Sequence, residues 1–233
     1  MENKRNKSQS TINFYQSLMK GKISRNIFGK KGRFNTEKNL KNKNINLYFD
    51  KQISQYLDKN DVVLDYGCGP GGFTLRISKY CKKVIGVDIV PEFINECNKN
   101  IEIYKVNNFS AKIIEPNKLN FNDNSFDVVF LIDVIHHLEN VKDVIYKLSK
   151  VLKNNGKIII YEPNKLNPIL WLMHYFDKNE IGLLEFGTPK SYKKLFHKNN
   201  FKVEKCEFNG MVVGPQSKIF FTISKILNYF ILF

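Results

Sequence analysis

From residue 45 onward the chain alternates short apolar blocks with longer amphipathic stretches. The blocks "VVLDYG" (62–67), "KVIGVD" (83–88), "AKIIE" (111–115), "FDVVFLID" (126–133) and "KIIIYE" (157–162) are five to eight residues long and end at glycine, aspartate or glutamate. They lack strict apolar/polar alternation, as strands covered on both faces do. Between them lie segments of helical spacing: Phe73, Leu75, Ile77 and Tyr80; "PEFINECNKN"; and "ENVKDVIYKLSKVLKNNG". In the last, Val141, Val144, Ile145, Leu148, Val151 and Leu152 share a face, with Asn140 as N-cap and Gly156 just past the helix end. An earlier helix is predicted over "NINLYFDKQISQYL", with Ile45, Leu47, Ile53 and Leu57 facing the core, before the polar break "DKND". Strands alternating with helices predict an α/β fold with a doubly wound, mostly parallel sheet and helices on both faces.

Past residue 163 the rhythm weakens. "PILWLMHYF" (168–176) is strongly apolar, "TPKSYKKLFHKNN" (188–200) reads as a surface helix, and "FKVEKCEF" (201–208) alternates like a strand with one solvated face. The tail "SKIFFTISKILNYFILF" is almost wholly apolar and reads better as helix than as strand. The organisation predicted is a basic leader or helical cap over 1–44, one domain over 45–216 with an insert at 163–188, and an apolar tail over 217–233.

The 233 residues suffice for one sizeable core, and 42% hydrophobic with 25% charged residues is ordinary for a soluble globular protein. No apolar run reaches the roughly 18 residues of a membrane span. The basic N-terminus has no apolar core behind it, so no secretory signal is read and a cytoplasmic location is expected. Cys68, Cys81, Cys97 and Cys206 show neither paired metal-ligand spacing nor the density of a disulfide framework. The net charge of +15 is concentrated in residues 1–43, with twelve Lys and Arg against Glu2 and Glu37. Lys outnumbers Arg by 33 to 4, and that scarcity of the planar, bidentate cation argues against sequence-specific nucleic-acid reading.

"VLDYGCGPGGFT" (63–74) joins the first strand to the helix after it, at the carboxyl end where open parallel sheets bind ligands. Gly67, Gly69 and Gly72 satisfy GxGxxG, which by itself fits a dinucleotide, another adenosine cofactor or an empty tight turn. Asp65, two residues before Gly67, places a carboxylate where a pyrophosphate would be repelled and a cation welcomed. Asp88, ending the next strand, suits the two hydroxyls of a ribose; it suits equally an N-cap ahead of Pro91.

With the later segments in place, the chain resembles a class I S-adenosylmethionine-dependent methyltransferase of the small-molecule type over about residues 45–208. "LDYGCGPG" resembles that family's first motif, "GVDIVP" its second, "EPNKLNFNDNSFDVV" its third and the start of its fourth, and "LKNNGKIII" its post-motif segment. The resemblance implies a Rossmann-like fold and S-adenosyl-L-methionine as cofactor. It places Asp65 and the backbone of Gly67, Cys68 and Gly69 at the methionine moiety, Asp88 at the ribose, and Ile89 against adenine. Glu115, standing where Asp is more usual, and Pro116 fall near the adenine edge, and Asp133 beside the methyl-transfer site. It also implies a sixth and an antiparallel seventh strand; one strand is visible at 201–208, and the seventh is either missing or supplied by the tail.

Methyl transfer needs a base only where the nucleophile keeps its proton at neutral pH. His136 and His137, just past the fourth strand, are candidates, as is Glu162 at the end of the fifth; the alternative for the histidines is packing against the sheet and bonding the turn. "DVIH" stands where an "NPPY"-like stretch would mark base-amino methylation, and no catalytic cysteine motif is present. The reading is therefore an enzyme methylating a hydroxyl, or an amine or carbon, of a small or lipid-linked metabolite. The alternatives are an NAD-dependent oxidoreductase, which Asp65 disfavours, and a non-catalytic cofactor- or RNA-binding protein of the same fold. In the insert Trp171, Met173, Tyr175 and Phe176 suit either a hydrophobic substrate or the core, and the basic leader with the apolar tail suits contact with an anionic membrane.

Overall fold

Strands β1 (Val62–Tyr66), β2 (Lys83–Asp88), β3 (Phe109–Ile113), β4 (Phe126–Ile132) and β5 (Leu152–Tyr161) lie in the order β3-β2-β1-β4-β5, every neighbouring pair parallel. The computed structural model describes residues 7–22, 34–41, 43–166, 187–207, 222 and 226. Strand side chains alternate between two apolar layers. Leu64, Phe126, Val129 and Leu131 face one, completed by helix α6 (Val141–Val151) and by Leu195 and Phe196 of α7 (Pro189–His197). Val63, Val84, Val128, Phe130 and Ile132 face the other, with Phe49 and Ile53 of α3 (Lys43–Ser54), Leu75 and Ile77 of α4 (Thr74–Ile77), and Cys97 of α5 (Pro91–Ile103). The sheet is thus covered on both faces, which explains the unbroken apolar runs of its strands. Two further helices precede the sheet, α1 (Lys7–Met19) and α2 (Thr36–Lys41).

Helix α6 forms as its sequence predicts: the Asn140 side chain accepts from Asp143 N at 3.3 Å, and the predicted apolar face is buried through Val151. Its end differs. Leu152 is already extended and pairs with Phe126, so Gly156 does not cap the helix. The register slips between the Phe126 and Val128 rungs, and a Cβ on Gly156 would stand 2.6 Å from Leu152 Cγ and 2.9 Å from Asp127 O. Close packing at this bulge, rather than helix termination, demands glycine there.

In α3 the buried face is set by Phe49 and Ile53, four residues apart. Leu47, two residues from Phe49 and so about 200° round the helix, is 74% exposed, against expectation. Residues 201–207 are a second difference. Phe201 and Val203 turn inward onto the core, as their alternation predicts, but the segment pairs with no strand among the described residues. The apolar part of the insert, the tail apart from residues 222 and 226, and with them the seventh strand, lie outside the described residues. No helix among the described residues is long and apolar enough to cross a membrane.

Leu148 is fully buried between α6 and the sheet. Its replacement by Ala should lower unfolding free energy in urea by about 2–5 kcal/mol. Leu47→Ala should change it by less than about 0.5 kcal/mol.

Candidate functional site

A cleft opens at the carboxyl ends of β1, β2 and β4, where the strand order reverses between β1 and β4, and encloses about 1090 Å³ with its open mouth counted. Its floor is the turn after β1. Gly67 N and Cys68 N both donate to Val87 O, at 2.8 and 3.0 Å, tying the turn to β2. Gly67 has φ +80°, and a Cβ there would fall 2.4 Å from Val134 Cγ2, so only glycine lets the turn lie against the segment after β4. The third left-handed position is Gly71 (φ +84°, facing Cys97 Sγ) rather than Gly72, which the GxGxxG spacing singles out. Gly67, Cys68 and Gly69 all line the cleft, and nothing stands within 4 Å of the position a Cβ would take on Gly69. The Cys68 thiol is raised by its hydrogen bond with Cys97 and by burial, which makes it a poor nucleophile.

Two carboxylates support this floor. Asp88 lines the cleft; its Oδ2 accepts from Gly69 N at 2.9 Å and its Oδ1 from Val90 N at 2.9 Å. Asp65 does not reach the cleft lining. It lies buried beneath the turn, where Thr74 Oγ1 donates to Oδ2 at 2.5 Å and Oδ1 has no hydrogen-bond partner among the described residues. Burial pushes both carboxyls up, Asp88 to about 6 and Asp65 to about 7, the latter also through the charge of Asp88 and against the pull of the Thr74 hydrogen bond. Ile89, Phe93, Ile114 and Pro116 form an apolar wall beyond Asp88. The Glu115 side chain is 71% exposed and pairs with Lys118 at 2.7 Å, so its carboxylate is turned away from that wall.

The fourth side carries the candidate bases. Asp133 lines the cleft in a left-handed conformation, φ +61°, its N–H donating to Tyr161 O at 2.7 Å. After it the chain makes a 3₁₀ turn, Ile135–His137. The two histidines part company there. His136 is fully buried, with Nδ1 2.6 Å from Glu162 Oε2, and His137 lines the cleft. The Glu162 side chain is itself buried and engaged, so neither it nor His136 faces a substrate. Of the three candidates only His137 does.

Sequence reasoning missed what stands over His137. Helix α1 docks across the cleft mouth: Lys7 Nζ donates to the carbonyls of His136 and Leu138 at 3.0 and 3.3 Å, Ser8 Oγ to Glu139 Oε2 at 3.0 Å, and Lys20 pairs with Glu92 at 2.8 Å. The Tyr15 hydroxyl lies 3.2 Å from His137 Nε2, and the Tyr15 ring packs with Phe34 and Phe93 at centroid distances of 5.2 and 5.3 Å. Ile12, Tyr15, Leu18 and Met19 recur at helical spacing and carry this signal. The leader's charge and Asn content obscured it.

The family profile described as a methyltransferase domain matches residues 57–212. The ubiquinone biosynthesis O-methyltransferase of Dictyostelium discoideum, a mitochondrial protein, is 31% identical over 66% of this chain and 53% of its own length. That of Rickettsia bellii is 26% identical over 82% of both chains. This chain thus spans about half the length of the Dictyostelium protein. The crystal structure of an S-adenosylmethionine-dependent methyltransferase from Aquifex aeolicus superposes with a TM-score of 0.59 at 20% identity, over 70% of this chain and 85% of that one, which establishes the common fold. With the profile spanning well over half of its residues, the chain belongs to the methyltransferase-domain family that this profile describes.

Proposed function

We propose that the chain moves a methyl group from S-adenosylmethionine to a hydroxyl of a small or lipid-linked metabolite, with His137 as the base. The observation that carries this reading is the His137–Tyr15 pair on the wall of the cleft, beside the turn after β1. The cleft residues suit the cofactor. Asp88 keeps lone pairs for ribose hydroxyls after serving Gly69 and Val90. The open space at Gly69 admits close approach to backbone, and the unpartnered Asp65 Oδ1 beneath the turn suits a neighbouring cation. In this reading the backbone of Gly67, Cys68 and Gly69, with Asp65 behind it, holds the amino-acid end. Ile89 and Pro116 flank adenine, Glu115 contributes only backbone, and Asp133 borders the acceptor.

Bound S-adenosylmethionine supplies a sulfonium methyl already activated for displacement, so the protein's own tasks are alignment and proton removal. An acceptor hydroxyl bonded to Tyr15 passes its proton to the phenol oxygen as the phenol proton moves to His137 Nε2. The base ends protonated, the phenol unchanged and the acceptor oxygen free to attack. A neutral amine would not need this step, and the two relatives' names as O-methyltransferases also favour oxygen. α1 then acts as a cap that brings Tyr15 to the site and keeps water from it.

His137→Gln should lower kcat for methylation of a catechol probe by roughly 100-fold or more, with S-adenosylhomocysteine affinity nearly unchanged by calorimetry. Equal kcat in the two proteins would remove His137 as the base. The carboxyls give a second expectation. Asp88 and Asp65 are protonated below about 6 and 7; once ionised, Asp88 accepts hydrogen bonds from ribose best, and Asp65, beneath the turn, attracts the ammonium most strongly. S-adenosylhomocysteine should therefore bind more tightly as pH rises from 5 to 8, with the gain complete once both have lost their protons. Asp88→Asn should weaken binding by about 1.5–3 kcal/mol at pH 8 and remove the part of the rise centred near pH 6. An affinity independent of pH would contradict the roles of both carboxylates.

A further inference from the structure

Glu162 follows directly on β5 and is buried, its side chain only 2% exposed. A carboxylate in such a place needs partners, and this one is engaged on both oxygens. Oε1 accepts from the backbone N–H groups of Val134 and Ile135, at 2.7 Å each. These are the first donors of the 3₁₀ turn, which the turn itself leaves unbonded. Oε2 meets His136 Nδ1 at 2.6 Å and accepts from the Tyr192 hydroxyl on α7 at 3.4 Å. Burial and the charge of Glu162 raise the Tyr192 hydroxyl far enough that it stays a donor. One side chain therefore joins β5, α7 and the turn that carries His137.

We infer that Glu162 is a positioning residue for methyl transfer: it fixes the turn after β4, through two backbone donors and His136, so that His137 meets Tyr15 in the cleft. The inference rests on the reading of His137 as base. His136 transmits the constraint. Its ring is fully buried and lies 4.0 Å, centroid to centroid, from that of His137. In this inference His136 donates from Nδ1 to the Glu162 carboxylate, and Nε2 is directed toward Asp133, whose Oδ1 is 3.8 Å away. The bonded ring cannot rotate without breaking a buried charge-assisted hydrogen bond, and His137 is held against it.

Glu162→Gln separates the contributions of shape and charge. The amide oxygen still receives Val134 N and Ile135 N, but the amide N–H₂ then confronts His136 Nδ1, which must surrender its proton and become an acceptor. The test uses the full chain bound to S-adenosylhomocysteine, with ¹⁵N-labelled histidine, and reads both tautomers by long-range ¹H–¹⁵N spectra. In the unaltered protein His136 is expected as the Nδ1–H tautomer with a strongly hydrogen-bonded proton. In Glu162→Gln it should switch to Nε2–H and the His137 resonances should move with it. kcat for the catechol probe should fall roughly 10- to 100-fold, as for a base displaced by a fraction of an ångström, while S-adenosylhomocysteine affinity is kept. Loosening of the fold alone would not switch the tautomer. Tyr192→Phe removes the longest of the four bonds and should lower kcat less. His136 found as Nε2–H in the unaltered protein, or a Glu162→Gln protein with unchanged His137 resonances and kcat, would overturn the inference. If the unaltered chain methylates no hydroxyl, the reading of His137 fails, and the tautomer of His136 still decides whether Glu162 holds the turn. The tautomer of the unaltered protein also decides the case if Glu162→Gln does not fold.

Discussion

The approach of Gly67 to Val134 is the constraint on which the site depends. A Cβ at Gly67 would fall 2.4 Å from Val134 Cγ2, so the turn after β1 and the segment after β4 touch because one of them has no side chain there. The strand order makes this contact available: β1 and β4 are neighbours, and the chain crosses between them only after β2 and β3 have been laid down on the other side. The parallel sheet thus delivers two loops to one point, and glycine lets them close. Asp88, from the end of β2, then reaches across to Gly69 N and fixes the far side of the turn. These contacts hold together a floor, a carboxylate and a segment bearing His137.

Buried polar groups stabilise the arrangement where apolar packing would leave it loose. Asp65 bonds Thr74 beneath the turn, and Glu162 bonds the turn after β4. Both lie behind the cleft surface and act through backbone or through other side chains. The raised proton affinity of Asp65 and Asp88 is the electrostatic cost of their burial. In the proposed reading a bound cation and ribose hydroxyls would offset it, which would link the stability of the floor to occupancy of the cleft.

Much of this was legible in the sequence, and the reasons differ between elements. The strands were visible because burial on both faces writes an unbroken apolar run, and α6 because its face and its Asn140 cap coincide. The glycine turn and Asp88 were visible because tight backbone geometry admits few residue types. What the sequence hid was contact between distant segments. Asp65 looked like a cleft residue from its place at a strand end, but the pleat points it beneath the turn, toward Thr74. His136 and His137 are adjacent, and nothing local tells which one is buried; the partners that decide it, Glu162 and Tyr15, lie 26 and 122 residues away. Leu47 and Gly156 misled for a simpler reason. Phase along a short helix and the start of a bulged strand are set by packing, and local pattern constrains both weakly.

The central claim is transfer to oxygen, and the position of the transferred methyl tests it most directly. Incubating the full chain with S-adenosylmethionine carrying a ¹³C methyl group and a cell extract, then recording carbon spectra of the labelled product, reads the bonded atom whatever the acceptor. The account predicts a labelled methoxy carbon on a small or lipid-linked metabolite. A label bonded to nitrogen or carbon, or no labelled product at all, would contradict it.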